Sequence, residues 1–512
     1  MYTYNQLYFQ YKKLYPDYLK KLTFILNAIH KKHYSLDYWE PIVGIYLRRF
    51  ILNYLFFKNI SKNKNLFKLT NFKNHNFSRS YREYSDINDF LTINETKFYK
   101  IKISENFKIS NFNKLNLLSK IHNSFKAIIP NILINLKITK NLFSESYFKK
   151  GLKNSFVLKS FFYFYPLPNL KLENYPIPKK KILQNRLGLI KKFEIKFKKD
   201  MFFKNLLFNM PVNYIENYNL IFDEVEKLSI GEGIYVDGNE ISFDFIKFYI
   251  AKIKLNKNKV FTGQHSLRNG LDDYDVFFDY TKSISNHFLT WGWSNKLNII
   301  KKFSSLRLFS SLKKYKKIQK IDEKILTVCF ILCGFSRAGE CLYDNFIENE
   351  KAEKARIDLL KSIKKHEKIK IFLKPRTGSF LLYDSKKYYK QFEILKDKTR
   401  MYDIFGKFSI IIFERMSLGI VENIYLNQPT IFYYPKKLYQ HKNKNYKNLF
   451  NLLKKANILF DDKKKVEQII NSQKNISEWW FDKKNVQIRK KLLKKFANPF
   501  VYSDLNKFKK MV

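Results

Sequence analysis

The stretch SIIIFERMSLGIVENIYLNQPTIFYYP (409–435) decides the fold. Residues 409–414 read as a strand, 417–426 as a short helix and 429–435 as a second strand. Strand, helix and strand in so short a span make a βαβ unit, and such units build parallel sheets covered on both faces. The alternation continues outward. Upstream, ILTVCFILCGF (325–335) is strand-like, NEKAEKARIDLLKSIKKHEK (349–368) is a strong helix and IKIFLKP (369–375) is a strand. Downstream, NYKNLFNLLKKANILF (445–460) is helix then strand, and KKVEQIINS (464–472) is a helix. No internal repeat is visible, which argues against a solenoid.

The first half is less regular. YLKKLTFILNAIHKKH (18–33) and SLDYWEPIVGIYLRRFILNYLFF (35–57) fit two helices, with Ser35 at the N-cap position of the second. His30 and His33 are expected to be structural. Residues 60–125 suggest loops and short strands, and the four prolines of PLPNLKLENYPIPKKK (166–181) mark a linker. From MPVNYIENYNLIFDEVEKL (210–228) onward the signal sharpens. GIYVDGNE (233–240) reads as strand and turn, FDFIKFYIAKIKLN (243–256) as helix, and KVFTGQH (259–265) as strand. That last strand runs into the polar turn TGQHSLRNG (262–270). Open α/β sheets gather ligands at such strand ends.

With 512 residues, two or three domains are expected. The 97 Lys and Arg against 45 Asp and Glu give a formal charge of +52, which raises nucleic acid or an anionic membrane as partners. The bias is uniform, however, and Gly (14) and Pro (12) are scarce beside Phe (50) and Tyr (35). Such uniformity fits an A/T-rich coding drift. KKFEIKFKKD (191–200), KKFSSLRLFSSLKKYKKIQK (301–320) and IRKKLLKKF (488–496) then read as solvated helix faces. Cys329, Cys333 and Cys341 form neither a disulfide framework nor a zinc set, and the two within 325–335 read as packed thiols of a buried strand. Neither a signal-peptide pattern nor an apolar run of about 20 residues is evident. The expectation is a cytoplasmic protein, with peripheral contact to the inner face of a membrane left open.

Several segments resemble one family, the transferases of bacterial O-antigen and surface-polysaccharide clusters first named from a leptospiral member. They are LNAIHKKHYSLDYWEPIVGIYLRRF (26–50), GQH (263–265), SISNHFLTWGWS (283–294), LGIVENIYLNQPTIFYYP (418–435), and the closing region from 452 to 497. The resemblance implies an α/β fold with two Rossmann-like domains facing a cleft, as in GT-B glycosyltransferases, behind a helical N-terminal leader. It divides the chain into a helical segment (1–60), an acceptor-side domain (61–300), a donor-side domain (321–485) and a C-terminal helix (486–512). The implied reaction moves a sugar from a nucleotide-sugar donor to a glycan or lipid-linked glycan acceptor, without a metal or other cofactor.

Such a transfer needs a base for the acceptor hydroxyl and fixed cations or helix N-termini for the departing phosphates. His265 follows a strand, as a general base or phosphate donor, or simply as a hydrogen-bonded turn residue. In the family this histidine is usually followed by glycines and a tyrosine; here it precedes Ser266-Leu267-Arg268-Asn269-Gly270. Arg268 is a candidate phosphate contact. KPRTGS (374–379) carries Arg376 where relatives have histidine, and an arginine can hold phosphate but cannot be a base. Ser417 is a natural N-cap for the helix after 409–414, and Glu422 follows on its first turns. The catalytic candidates are thus His265 and Glu422; the donor- and phosphate-binding candidates are Arg268, Lys374, Arg376, Ser379 and Ser417. Asp272, Asp273 and Asp275 read as a solvated acidic loop holding a substitute base. Trp291, Trp293, Trp479 and Trp480 are expected in packing. Two other classes remain open: a nucleic-acid-binding protein, for which no RRM, KH, helix-turn-helix or zinc signature is present, and a degenerate transferase fold that binds without turnover.

Overall fold

The computed structural model describes residues 4–60, 117–144, 150–168, 179–194, 201–238, 241, 243–271, 274–312, 317–318, 325–332, 355–363, 369–375, 389, 391–396, 399, 401–435, 444–471 and 476–511. Of the loops and short strands expected over 60–125, residues 61–116 lie outside the described residues and Leu117 onward is instead a helix, Leu117–Asn135. Most of the proline-rich linker, and Asp272, Asp273, Cys333, Cys341, Arg376 and Ser379, also lie outside the described residues.

Two parallel six-stranded sheets organise the chain. The first comprises β1 (Asn141–Ser144), β2 (Phe164–Pro166), β3 (Gly233–Asp237), β4 (Lys259–Gly263), β5 (His287–Thr290) and β6 (Ile300–Lys302), in the order β2-β1-β3-β4-β5-β6. The second comprises β7 (Leu326–Leu332), β8 (Ile369–Pro375), β9 (Glu393–Ile394), β10 (Ile410–Phe413), β11 (Thr430–Tyr433) and β12 (Leu459–Phe460), in the order β12-β11-β10-β7-β8-β9. Counted from its own first strand, the second sheet reads 3-2-1-4-5-6, the doubly wound order. Strands β3, β10 and β11 are buried at every position, as strands covered by helices on both faces must be.

The helices show why the lysines do not disturb this. In Lys444–Lys455 the buried residues are Tyr446, Leu449, Phe450 and Leu453, spaced i, i+3, i+4 and i+7 along one stripe. Helix Lys483–Phe496 buries Asn485, Arg489, Leu492 and Phe496, while Lys490, Lys491, Lys494 and Lys495 face water. For this segment the solvated-face reading holds. Helix Leu418–Leu426 stops at Asn427, which takes the left-handed conformation (φ 62°) that ends helices and anchors it through Nδ2 to the Ile318 carbonyl at 3.0 Å.

The first helix is longer than expected: it spans Tyr4–His30 and continues through Pro16, and His33 lies beyond its end. Helix Leu36–Ile60 packs on it and on helices Asp244–Leu255 and Val276–Ile284. The buried pair Glu40–Arg48 at 2.6 Å lies within Leu36–Ile60 and reaches Ser283 of helix Val276–Ile284 through Arg48 Nη2 at 3.1 Å, and Lys12–Asp279 at 2.8 Å fastens the first helix to that same helix. His30 stacks on Tyr218 with centroids 3.9 Å apart and reaches the Tyr214 carbonyl at 3.0 Å. Burial holds its pKa down to about 4, so it is a packed neutral imidazole.

The C-terminus is two helices rather than one. After Phe496 the chain returns to the first sheet, where Ser305 N donates to Asn498 O (2.7 Å) and Phe500 N to Ser305 O (3.0 Å). Helix Leu505–Met511 then stacks Phe508 on Phe164 and Phe303, at 4.6 and 5.0 Å. Among the described residues no helix is long and apolar enough to cross a membrane.

Candidate active site

Parallel strands put all their carboxyl ends on one edge, and that edge of the first sheet carries a polar cluster. β3 ends at Asp237, paired in register with Gly263 at the end of β4. Gly263 is needed there, because a Cβ would lie 2.1 Å from the Tyr235 hydroxyl. The next residues turn. Gln264, fully buried, accepts through Oε1 from Trp291 N (2.9 Å) and Trp293 Nε1 (2.8 Å) and donates through Nε2 to Ser266 O (2.8 Å). The two tryptophans are therefore packing residues that brace the turn. Leu267 and Leu271 anchor it from beneath, in one apolar cluster with Phe413, Ile420 and Val421 of the second sheet's layer.

His265 is left on the open side, its side chain 26% exposed. Its Nδ1 lies 3.2 Å from Oδ1 of the buried Asp237. Arg307, in helix Leu306–Leu312, donates to the His265 carbonyl at 2.8 Å and has the same Nη1 2.9 Å from Nδ1. These neighbours make opposed demands: Asp237 favours a proton on Nδ1, and the guanidinium, which only donates, favours a lone pair there. The Nδ1–H form leaves Nε2 with the lone pair.

Asp237 and Arg307 both escaped the sequence reading. Asp237 is a lone carboxylate closing an otherwise apolar strand, GIYVD. Arg307 sits within a lysine run whose spacing reads as a solvated face. For Arg307 a signal was present: lysine is this chain's default base, and the arginines at 48, 186, 356 and 489 are all buried. Arginine persists where a fork of donors is required. Asp275 is corrected in role. It is the N-cap of helix Val276–Ile284, accepting from Phe278 N at 2.9 Å and from Asn269 Nδ2 at 3.0 Å, and is not a spare base. Arg268, half-buried, lies within the same turn.

The second sheet reverses its strand order between β7 and β10, and ligands of doubly wound sheets sit in the crevice at that point. Helix Leu418–Leu426 starts just beyond β10, with Ser417 in extended conformation before it. Ser417 does not cap through its side chain: its Oγ makes no hydrogen bond among the described residues. Behind it, Arg356 donates through Nη1 to Glu414 and through Nε to Tyr389 Oη (2.8 Å), a buried ion pair that the sequence reading missed. Lys374 is the penultimate residue of β8, only 5% exposed, its Nζ on the Pro375 carbonyl at 3.1 Å. It lies close enough to Cys329 to oppose, without overcoming, the burial that pushes that thiol up to about 12, so Cys329 is an inert packed thiol. Glu422 is 3% exposed and stands as a buried carboxylate on its helix. Trp480 is likewise packing, its Nε1 on the Asn427 carbonyl at 2.9 Å and its ring under Arg489. Among the described residues no group of His, Cys, Asp and Glu could hold a metal ion.

The two strand edges are physically joined. Arg307 touches His265, and the helix that carries Arg307 packs against Leu418–Leu426.

A family model described as LIC12162 family transferase matches residues 3–501. No curated protein matches the chain. Among solved structures, the apo structure of OtsA is similar at 10% identity, covering 75% of this chain and 94% of that one, with a TM-score of 0.34. The spinosyn rhamnosyltransferase SpnG is similar at 9% identity, covering 72% of this chain and 100% of that one, with a TM-score of 0.30. The spinosyn forosaminyltransferase SpnP follows at 8% identity, covering 76% and 96%, with a TM-score of 0.31.

Proposed function

Because the chain belongs to the LIC12162 family of transferases, we propose that it is a GT-B-type glycosyltransferase. It moves a sugar from a nucleotide-sugar donor to a surface-polysaccharide precursor of the O-antigen kind, without a metal. The observation that carries this reading is His265 at the carboxyl edge of the first sheet with Asp237 behind its Nδ1. Nε2 of His265 takes the proton of the acceptor hydroxyl as that oxygen attacks the anomeric carbon. Asp237 orients the ring and balances the charge that forms on it. The donor's phosphates lie at the crevice of the second sheet, against the start of helix Leu418–Leu426. Ser417 has an uncommitted hydroxyl there, and Lys374, Arg376, Ser379 and Arg268 supply donors and charge to the leaving nucleotide. Glu422 holds the sugar or ribose hydroxyls once the crevice opens around the donor.

A thermal-shift screen against UDP-, GDP-, dTDP- and CMP-sugars tests the donor half. A true donor at 100 times its dissociation constant adds about 2.7 kcal/mol to apparent stability. No shift with any of them removes the nucleotide-sugar reading. A shift without any transfer would favour the degenerate fold.

A further inference from the structure

The opposite end of the first sheet carries a surface that this chemistry leaves unused. The turns entering β1 and β2, residues 136–140 and 160–163, lie side by side because the strands they enter are parallel neighbours. Thr139 Oγ1 donates to Phe162 O at 2.7 Å and ties one turn to the other. With the end of helix Lys150–Lys159 that leads into the second turn, they display Leu136 (63% exposed), Ile138 (44%), Leu158 (60%) and Phe161 (83%). Scattered apolar residues on a surface are ordinary, whereas several on two joined turns are not.

These side chains are held out rather than frayed. Phe161 and Phe162 are consecutive residues in the left-handed region, at φ 53° and 58°, a conformation that side-chain-bearing residues avoid. Backbone bonds pin them there: Phe161 N to Leu158 O (2.9 Å), Phe162 N to Val157 O (3.0 Å) and Tyr163 N to Ser160 O (3.2 Å). Cations surround the apolar tip. Lys509 Nζ lies 5.7 Å from the Phe161 ring and Lys159 Nζ 4.3 Å from the Tyr502 ring. Lys137, Lys140 and Lys510 are exposed beside them, and of these Lys140 pairs with Glu232 at 3.0 Å.

We propose that this edge, with Phe161 and Leu158 at its tip, docks on an anionic lipid bilayer. The rings enter the acyl boundary and the lysines meet the lipid phosphates. A second copy of this chain is a poor occupant, since a self-complementary contact would set like-charged lysines face to face. The proposal does not rest on the transferase reading.

Cosedimentation of the full chain with phosphatidylcholine vesicles, plain or containing about one-third phosphatidylglycerol, tests it at about 0.15 M salt. The wild type should bind the anionic vesicles and leave the neutral ones largely free. Leu158→Ser/Phe161→Ser keeps the net charge, so its binding should fall about tenfold or more if the tip inserts. Lys137→Gln/Lys510→Gln should weaken binding and flatten its salt dependence. Undiminished binding by the double-serine variant would overturn the proposal and leave only diffuse attraction from the +52 charge. Absence of wild-type binding to anionic vesicles would overturn it too, as would a change in oligomeric mass of the serine variant without change in vesicle binding. No donor or acceptor enters this assay, so its failure is separable from failure of the transferase reading.

Discussion

Asp237 Oδ1 lies 3.2 Å from His265 Nδ1, although 28 positions separate the two in the chain. Adjacent strands β3 and β4 end in register and bring them together. Asp237→Asn keeps the size but can present an N–H to the ring and so select the wrong tautomer. Sugar transfer should fall about 100-fold or more in kcat, with KM and the unfolding midpoint little changed. A wild-type kcat and pH profile in this variant would remove Asp237 from the mechanism.

The turn bearing His265 closes at Gly270, which has φ +78° and whose Cβ would meet Phe278 and Trp293 at 3.0 Å. Gly270→Ala therefore combines a strained backbone with a steric push on the tryptophan bonded to Gln264. It should cost about 1–3 kcal/mol, read as a lower denaturant midpoint at constant slope. An unchanged midpoint would mean that the turn relaxes freely and does not hold His265.

Arg356 and Glu414 form a pair 2% and 8% exposed at the crevice of the second sheet. Glu414→Leu alone strands a buried guanidinium and should destabilise by about 3–5 kcal/mol. Adding Arg356→Met should restore much of that, because the penalty lies in the uncompensated charge. Additive losses in a double-mutant cycle would contradict the coupling.

Most of the fold was legible because β7, β10 and β11 are largely apolar runs, and β8 an apolar segment interrupted by Lys370 and Lys374, spaced by helices of clear period, as in 409–435. The short strands β1, β2 and β6 were not legible. At three or four residues each, Asn141–Ser144, Phe164–Pro166 and Ile300–Lys302 offer no periodicity. The site was half visible. His265 stood out as a histidine in a glycine-bearing turn, whereas Asp237 acquires meaning only once β3 lies beside β4. Arg307 was hidden by the lysines around it, and Asp275, read as loop charge, is a helix cap.

Acid should weaken the N-terminal layer through His30. In the fold its proton binds only near pH 4, whereas the unfolded chain takes it up near 6.5. Its contribution is complete above the unfolded value and is lost as pH falls from there toward 4, amounting to at most about 3 kcal/mol. Unfolding of wild type and His30→Gln at about pH 7.5 and about pH 4.5 isolates the term, since the variant should lose less on acidification. Equal losses would show that His30 is not held neutral.

His265→Ala removes the proposed base, and donor binding and sugar transfer can be measured on the same preparation. The variant should keep the wild-type thermal shift with the donor nucleotide sugar while transfer falls about 100-fold or more. Wild-type transfer by His265→Ala would contradict that role for the histidine.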